Sequence, residues 1–224
     1  MTKVKICGIT TLDDARAATQ AGADMLGFNF YKRSSRAIDP DAALTICAAL
    51  RAEFGTDCPL FVAVFVNEIV GRISMTLEKV GIKVAQLSGD ESTDILRELR
   101  GIGFKAIRPR NKVEALDDAA YFLNGAPTDD SLPSLLLDAY SAEQYGGTGV
   151  QASLDIAQAV KVVVPRLMLA GGLTPENVGD VVRAARPWGV DVASGVEPTD
   201  QPGIKDHAKL RAFIDAVRAA NENE

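Results

Sequence analysis

Short apolar segments alternate with helix-period segments eight times along the 224-residue chain, and this alternation limits the possible fold more than any other feature. Strands that alternate with helices indicate a parallel sheet, because each helix carries the chain back to the same edge. Eight such units are the number that closes the sheet into a barrel with a packed interior. The sequence therefore predicts an α/β fold, a single (β/α)8 TIM barrel, as one domain over residues 1–224.

The predicted strands are short apolar runs, as expected of strands that are buried on both faces. They are Val4–Cys7, Met25–Phe30, Leu60–Val66, Lys83–Leu87, Phe104–Arg108, Leu135–Leu137, Arg166–Ala170 and Val190–Ala193. The predicted helices are Asp13–Ala21, Pro40–Phe54, Ile69–Val80, Glu91–Arg100, Lys112–Leu123, Leu154–Val160, Pro175–Ala185 and Gly203–Ala220. Pro175 is predicted to occupy a first helical turn. We expect a glycine-rich loop over Asp138–Val150 and a frayed tail over Asn221–Glu224. The alternative is an open doubly wound sheet, but no G-x-G-x-x-G sequence follows the first strand.

Composition argues against several classes of function. The formal net charge is −6, and no basic cluster is stronger than Lys32-Arg33, so we expect no nucleic-acid partner. One histidine and three scattered cysteines do not supply a metal site or a disulfide framework. The N-terminus lacks the apolar core of a signal peptide, and the longest apolar run, Leu60–Val66, is too short to span a bilayer. We therefore expect a cytoplasmic protein without membrane contact.

In a barrel of this kind, chemistry occurs at the carboxyl ends of the strands. Cys7 ends the first strand, and Asp138 directly follows the sixth. A free cysteine is more often a small buried apolar residue than a base, and a base would need either a lowered pKa or a coupled proton transfer. A carboxylate in the position of Asp138 either caps its own turn or acts as a general acid. Position alone leaves both alternatives open for each residue.

Glycines follow the seventh and eighth strands, at Gly171-Gly172 and at Ser194-Gly195. Glycine lets backbone N–H groups approach an anion closely, and barrels often bind phosphate with these two loops and a short extra helix. Val196–Gln201 is the segment expected to supply that helix. Tight turns alone would also explain one glycine pair, but two pairs at the two expected strand ends favour a phosphate site.

Three further polar residues have simpler alternatives. Arg36, in the loop after the second strand, is either solvated or holds a carboxylate through its planar fork. Arg108, at the end of the fifth strand, either assists with an anion or lies at the edge of the site. His207 lies near the start of the last helix, and we expect it to have no catalytic role.

An ordered set of segments resembles the phosphoribosylanthranilate isomerase family over nearly the whole chain. No single segment is specific, but their order is. The segments are Val4–Thr10, Ala21–Asp24, Leu26–Phe28, Ser35-Arg36, Val64–Asn67, Gln86–Glu91, Leu137–Ala139, Tyr145–Gly149, Leu169–Leu173, Pro175–Val178, Gly189–Val192, Ser194–Glu197 and Pro202–Asp206.

The resemblance implies an isomerase of tryptophan biosynthesis that needs no cofactor and acts on a small phosphorylated substrate. It assigns the general base to Cys7, the general acid to Asp138 and the carboxylate-binding role to Arg36. It assigns phosphate binding to the backbone at Gly171, Gly172, Ser194 and Gly195. One departure is Ser88, which stands where the family usually has histidine, and the resemblance then implies a different affinity or pH profile for this chain if that histidine contributes to binding or to pKa tuning.

Rival interpretations are a non-catalytic barrel that binds a phosphorylated ligand and a related sugar-phosphate isomerase. Indole-glycerol-phosphate synthase resembles the chain less, because it carries an extension before its first strand. The sequence leaves the oligomeric state open between monomer and homodimer.

Overall fold

The computed structural model of the chain describes residues 1–138 and 147–222, with only the backbone for residues 147–153. Eight parallel strands form a closed barrel in sequence order, with the last strand paired to the first, so the predicted fold is confirmed. The strands are β1 Lys3–Cys7, β2 Met25–Asn29, β3 Leu60–Phe65, β4 Val84–Leu87, β5 Gly103–Ile107, β6 Leu135–Asp138, β7 Leu167–Ala170 and β8 Gly189–Val192.

One α-helix follows each strand. The helices are α1 Leu12–Gln20, α2 Pro40–Phe54, α3 Val70–Val80, α4 Thr93–Glu98, α5 Lys112–Leu123, α6 Gly147–Val163, α7 Val178–Ala185 and α8 His207–Glu222. Local sequence explains several of their ends. Asp39 accepts a hydrogen bond from the Asp41 amide and Pro40 occupies the first turn of α2, as expected of a helix start. Gly81 ends α3 in the left-handed conformation.

Side chains alternate along each strand between the interior of the barrel and the layer between strands and helices. Val62, Phe104, Leu136 and Met168 pack together inside the barrel. Their sequence neighbours pack outward against the helices, in two larger clusters. Because side chains two residues apart share a face, Asp138 has the inward parity of Leu136. The same rule gives Lys5 and Cys7 one common face on β1.

The predicted starts of α7 and α8 lie too early in the sequence. Helix α7 begins at Val178 rather than Pro175, because Asn177 accepts a hydrogen bond from the Thr174 amide and holds the preceding turn. Helix α8 begins at His207 rather than Gly203, because Asp206 accepts from the amides at its start.

Helix α4 is shorter than predicted, because the Glu91 side chain accepts hydrogen bonds from loop amides instead of joining the helix. Helix α6 is longer than predicted and already begins at Gly147. The predicted loop Asp138–Val150 therefore ends earlier, and its residues 139–146 lie outside the described residues. Asn221 belongs to α8 and accepts a hydrogen bond from the Thr2 amide at 2.9 Å, so it is not frayed.

Within residues 1–138 and 147–222, no helix combines the length and the apolar composition that crossing a membrane requires.

Candidate active site

A cavity of about 780 Å³ opens at the carboxyl ends of the strands. Every residue for which the sequence predicted a catalytic or binding role lines it. They are Cys7, Arg36, Asp138, Gly171, Gly172, Ser194 and Gly195. Strands β1 and β6 are three strands apart in the closed order, so Cys7 and Asp138 approach the cavity from different sides of the barrel. The barrel thus brings together a thiol and a carboxyl group that are distant in sequence.

The position of the Cys7 thiol depends on the absence of a side chain on the neighbouring strand. Gly27 is the register partner of Cys7 on β2. A Cβ atom at Gly27 would lie 2.8 Å from Cys7 Sγ and 3.2 Å from Lys5 Cε. Glycine at this position therefore makes the space in which the thiol and the lysine stem sit side by side.

A buried ion pair lies beside Cys7 in the barrel interior. Lys5 and Asp191 are register partners on β1 and β8, and Lys5 Nζ lies 3.0 Å from Asp191 Oδ1. The ammonium is fully buried and the carboxylate nearly so. Despite the short distance, the pair lacks good hydrogen-bond geometry, and neither atom has another hydrogen-bond partner among the described residues. Their attraction is therefore mainly electrostatic.

Burial raises the pKa of the Cys7 thiol above its ordinary value, although the positive charge of Lys5 opposes this effect. For Lys5 itself, burial lowers the pKa, but the charges and hydrogen bonds of Asp191 and Cys7 together outweigh burial and the net pKa is raised. A raised pKa favours the positively charged form of Lys5 beside the thiol. A base at this position needs either a lowered pKa or a coupled proton transfer, and the pKa of Cys7 is raised rather than lowered.

Asp138 is paired with an arginine at the cavity mouth. Arg108 Nε donates to Asp138 Oδ2 at 3.0 Å, and the arginine side chain is 64% exposed. An exposed pair of this kind is weak, so a ligand can displace the arginine at little cost. For Asp138 to donate a proton, its carboxyl group must be released from Arg108.

Arg36 is held by a carboxylate of the chain itself. Its Nε donates to Glu197 Oε1 at 2.8 Å and its Nη2 to Oε2 at 2.6 Å, a bidentate pair. Lys205 Nζ donates to the same Oε1 at 2.7 Å. Burial alone would raise the pKa of Glu197, but the hydrogen bonds from Arg36 and Lys205 outweigh burial and hold that pKa below its ordinary value.

The two glycine segments meet at one end of the cavity. Gly171 and Gly172 both have positive φ, at 91° and 58°, which turns the backbone after β7. A Cβ atom at Gly195 would collide with the carbonyl oxygen of Leu173, so the two segments can approach this closely only with glycine at 195. The short helix after β8 is Ser194–Val196, so the prediction that Val196–Gln201 supplies this helix was wrong. The extra helix lies earlier, directly at the glycine that packs on the other loop.

Ser88 lies on the cavity wall, where it accepts a hydrogen bond from Gln86 Nε2 at 3.0 Å. Asn67 and Asp90, also at strand ends, contact each other beside a second cavity of about 470 Å³ and not the first. His207 lies outside both cavities, where its Nε2 is 2.8 Å from Asp14 Oδ1.

Sequence reasoning gave no role to Lys5, Asp191 or Glu197. A signal for the first two was present, because a charged residue inside an apolar strand needs a partner and one occurs on each of two neighbouring strands. No local signal marks Glu197 as the partner of Arg36, since the two are 161 positions apart.

Comparisons with known proteins identify relatives along nearly the whole chain. The family model described as N-(5'phosphoribosyl)anthranilate (PRA) isomerase matches residues 4–216. A Roseiflexus sp. protein named N-(5'-phosphoribosyl)anthranilate isomerase is 44% identical over 223 residues, covering 98% of this chain and 99% of that protein.

Solved structures agree with these sequence matches. The crystal structure of phosphoribosyl anthranilate isomerase from Thermotoga maritima is similar at a TM-score of 0.82 and 34% identity, covering 98% of this chain and all of the other. A phosphoribosyl anthranilate isomerase in complex with reduced 1-(o-carboxyphenylamino)-1-deoxyribulose 5-phosphate is similar at a TM-score of 0.77 and 33% identity, with the same coverage.

Proposed function

The chain belongs to the N-(5'-phosphoribosyl)anthranilate isomerase family, and from that premise we propose that Cys7 and Asp138 are the base and acid of its reaction. The chain is an isomerase of tryptophan biosynthesis. The reaction is an Amadori rearrangement that converts N-(5-phosphoribosyl)anthranilate into 1-(2-carboxyphenylamino)-1-deoxy-D-ribulose 5-phosphate. One observation carries the assignment of residues: a single cavity is lined by the thiol, the carboxyl group, Arg36 and both glycine segments.

The first step is ring opening. The carboxyl group of Asp138 gives a proton to the furanose ring oxygen, the bond from that oxygen to C1 breaks, and the ring oxygen becomes the C4 hydroxyl. The lone pair of the anilino nitrogen forms a C=N bond to C1, which gives a protonated imine. A ligand that displaces Arg108 from its exposed position frees Asp138 for this step.

The second step is proton removal from C2. The positive imine withdraws electrons and acidifies the C2 proton, which passes to the thiolate of Cys7 and leaves a thiol. The resulting enolamine then gains a proton at C1 and loses one from the C2 oxygen, which yields the ketone. Because burial raises the pKa of Cys7, the thiolate is scarce at neutral pH, and the rate of this step increases as pH rises toward that pKa.

Two anchors orient the sugar between the acid and the base. The backbone at Gly171, Gly172, Ser194 and Gly195 binds the phosphate, and Arg36 binds the carboxylate of the anthranilate ring. The free edge of the guanidinium supports this role. Glu197 accepts hydrogen bonds from Nε and from one proton of Nη2. The edge formed by Nη1 and the other Nη2 proton is therefore left for a second carboxylate. Fixing both ends of the substrate keeps the reacting atoms in place.

Steady-state kinetics of three variants tests these roles. Cys7→Ala and Asp138→Asn are expected to lower kcat by about 10²- to 10⁴-fold, the range for general acid–base catalysis, with little change in ligand affinity. Arg36→Ala is expected to raise KM roughly 10- to 100-fold, because it removes charged hydrogen bonds to the substrate. Near-normal turnover by either of the first two variants removes that residue from the mechanism.

The same assay tests the rival interpretation of a non-catalytic binding barrel. Anthranilate fluorescence during incubation with freshly made substrate changes progressively if the chain turns the substrate over. A binding protein alters only the equilibrium signal.

A further inference from the structure

We infer that Glu197, together with Lys205, is a positioning residue that fixes which edge of the Arg36 guanidinium faces the substrate. The inference rests on the proposed role of Arg36 as the carboxylate anchor. It extends that role to two residues that act through Arg36 and not by touching the substrate. It also explains how the distance between the carboxylate anchor and the phosphate anchor is fixed.

The geometry of the trio determines the orientation of the arginine. Glu197 holds the Nε and Nη2 side of the guanidinium through two short hydrogen bonds. A planar group fixed along one edge presents its other edge in a single direction. Gly8 adds to this constraint, because a Cβ atom there would lie 2.6 Å from Arg36 Cδ. The arginine stem therefore passes directly over the backbone next to Cys7.

The charges of the trio leave the site attractive to an anion. Arg36 paired with Glu197 alone would be neutral, and a neutral pair attracts a carboxylate only weakly. Lys205 is fully buried at its side chain and donates to Glu197 and to the Ala193 carbonyl. Two cations against one carboxylate give the trio a net positive charge when Lys205 is protonated, and Arg36 is the member of the trio that lines the cavity.

The location of Glu197 links the two substrate anchors. It follows the short helix Ser194–Val196 directly, so it belongs to the same β8 segment that forms part of the phosphate end. Arg36 belongs to the loop after β2. The bidentate pair therefore fixes the distance between the phosphate end and the carboxylate end, which sets the length of ligand that the cavity accepts.

The experiment compares two stable ligands that differ only in the carboxylate. One is reduced 1-(o-carboxyphenylamino)-1-deoxyribulose 5-phosphate, and the other is its counterpart made from aniline. Calorimetry gives the Kd of each for the wild-type chain, Glu197→Gln, Arg36→Ala and the double variant. Glu197→Gln is expected to weaken the carboxylated ligand about tenfold, to change the aniline ligand less than about twofold, and to lower kcat by no more than about threefold.

Two further variants guard against a general loss of structure. Glu197→Asp keeps the charge but is too short for all three hydrogen bonds, so an intermediate and equally selective loss is expected. Asp24→Asn is the matched control, because Asp24 also pairs with two cations, Lys3 at 2.9 Å and Arg218 at 3.2 Å, but it lies before β2, at the opposite end of the barrel. It is expected to change neither Kd.

The outcomes separate this inference from the proposed function. Equal weakening of both ligands by Glu197→Gln and by Glu197→Asp would overturn the positioning role and leave only a structural one. A further selective loss when Glu197→Gln is added to Arg36→Ala would also overturn it, because Glu197 would then act without Arg36. If Arg36→Ala itself weakens both ligands equally, the proposed anchor is wrong and the inference fails with it.

Discussion

Replacement of Gly27 by alanine is expected to move the sulfur of Cys7 without replacing any residue of the proposed site. The new methyl group would lie 2.8 Å from Cys7 Sγ and 3.1 Å from Cys7 Cα. Non-bonded heavy atoms are most stable at about 3.5–4.0 Å, so the sulfur must retreat by about 0.7–1.2 Å. Gly27 lies in β2 and does not have a positive φ, so alanine fits its backbone and the strain is purely steric.

A displacement of about 1 Å at a reacting group can cost about 100-fold in rate. We therefore expect Gly27→Ala to lower kcat by about 10- to 100-fold and to leave KM nearly unchanged, because the proposed phosphate and carboxylate anchors lie elsewhere. Overpacking costs about 1–3 kcal/mol in stability. For a chain of this size, that corresponds to a fall in Tm of about 2–12 °C.

The assay is the steady-state rate of isomerisation, followed by anthranilate fluorescence, together with thermal unfolding. Gly71→Ala is the matched control, because Gly71 lies in α3 with no atom within 4 Å of its missing Cβ. Alanine there is expected to raise stability by up to about 1 kcal/mol and to leave kcat unchanged. A normal kcat in Gly27→Ala, with the fall in Tm present, would refute the dependence of the reaction on the position of the thiol.

Three other predictions concern buried groups, one near the site and two at Cys47 in α2. Lys5→Met combined with Asp191→Asn removes the buried pair without leaving either charge alone. The pKa of Cys7 is then expected to rise further, and the rising limb of kcat against pH to shift to higher pH. An unmoved limb would exclude Lys5 from tuning the thiol. Burial raises the pKa of Cys47 from 9.0 to about 12, so iodoacetamide at pH 8 is expected to label it only after unfolding. The native thiol stays protonated up to a higher pH than the unfolded one, so its contribution to the free energy of unfolding is lost as pH rises from 9 toward 12. Cys47→Ala is expected to reduce this loss of stability at high pH. Labelling of native Cys47 at a rate like that of the unfolded chain would contradict its burial.

The fold could be predicted because hydrophobic periodicity changes sharply between strands and helices. Helices α2 and α5 have the predicted bounds, Pro40–Phe54 and Lys112–Leu123, since each begins with a capping side chain that the sequence displays. Errors arose where a side chain holds a turn just before a helix. Asn177 and Asp206 cap or fix such turns, and apolar periodicity does not distinguish these positions from helical ones.

Within the candidate site, the sequence predicts the residues that lie at the carboxyl ends of strands. This strand-end rule located Cys7 and Asp138, because the carboxyl end of each strand is readable from the sequence. The strand-end rule does not predict the ion pairs that surround the site residues. The contact between Arg36 and Glu197 depends on how the loop after β2 meets the loop after β8, and the closeness of Lys5 to Asp191 depends on strand register.

A crystal structure of this chain with reduced 1-(o-carboxyphenylamino)-1-deoxyribulose 5-phosphate tests most directly whether one thiol and one carboxyl group act on the same sugar. Cys7 Sγ is expected within about 3.0–3.5 Å of C2, and an Asp138 carboxyl oxygen within about 2.6–3.2 Å of the C4 hydroxyl, the former ring oxygen. A ligand bound in the cavity with either group out of direct or water-mediated reach of its atom would contradict the mechanism.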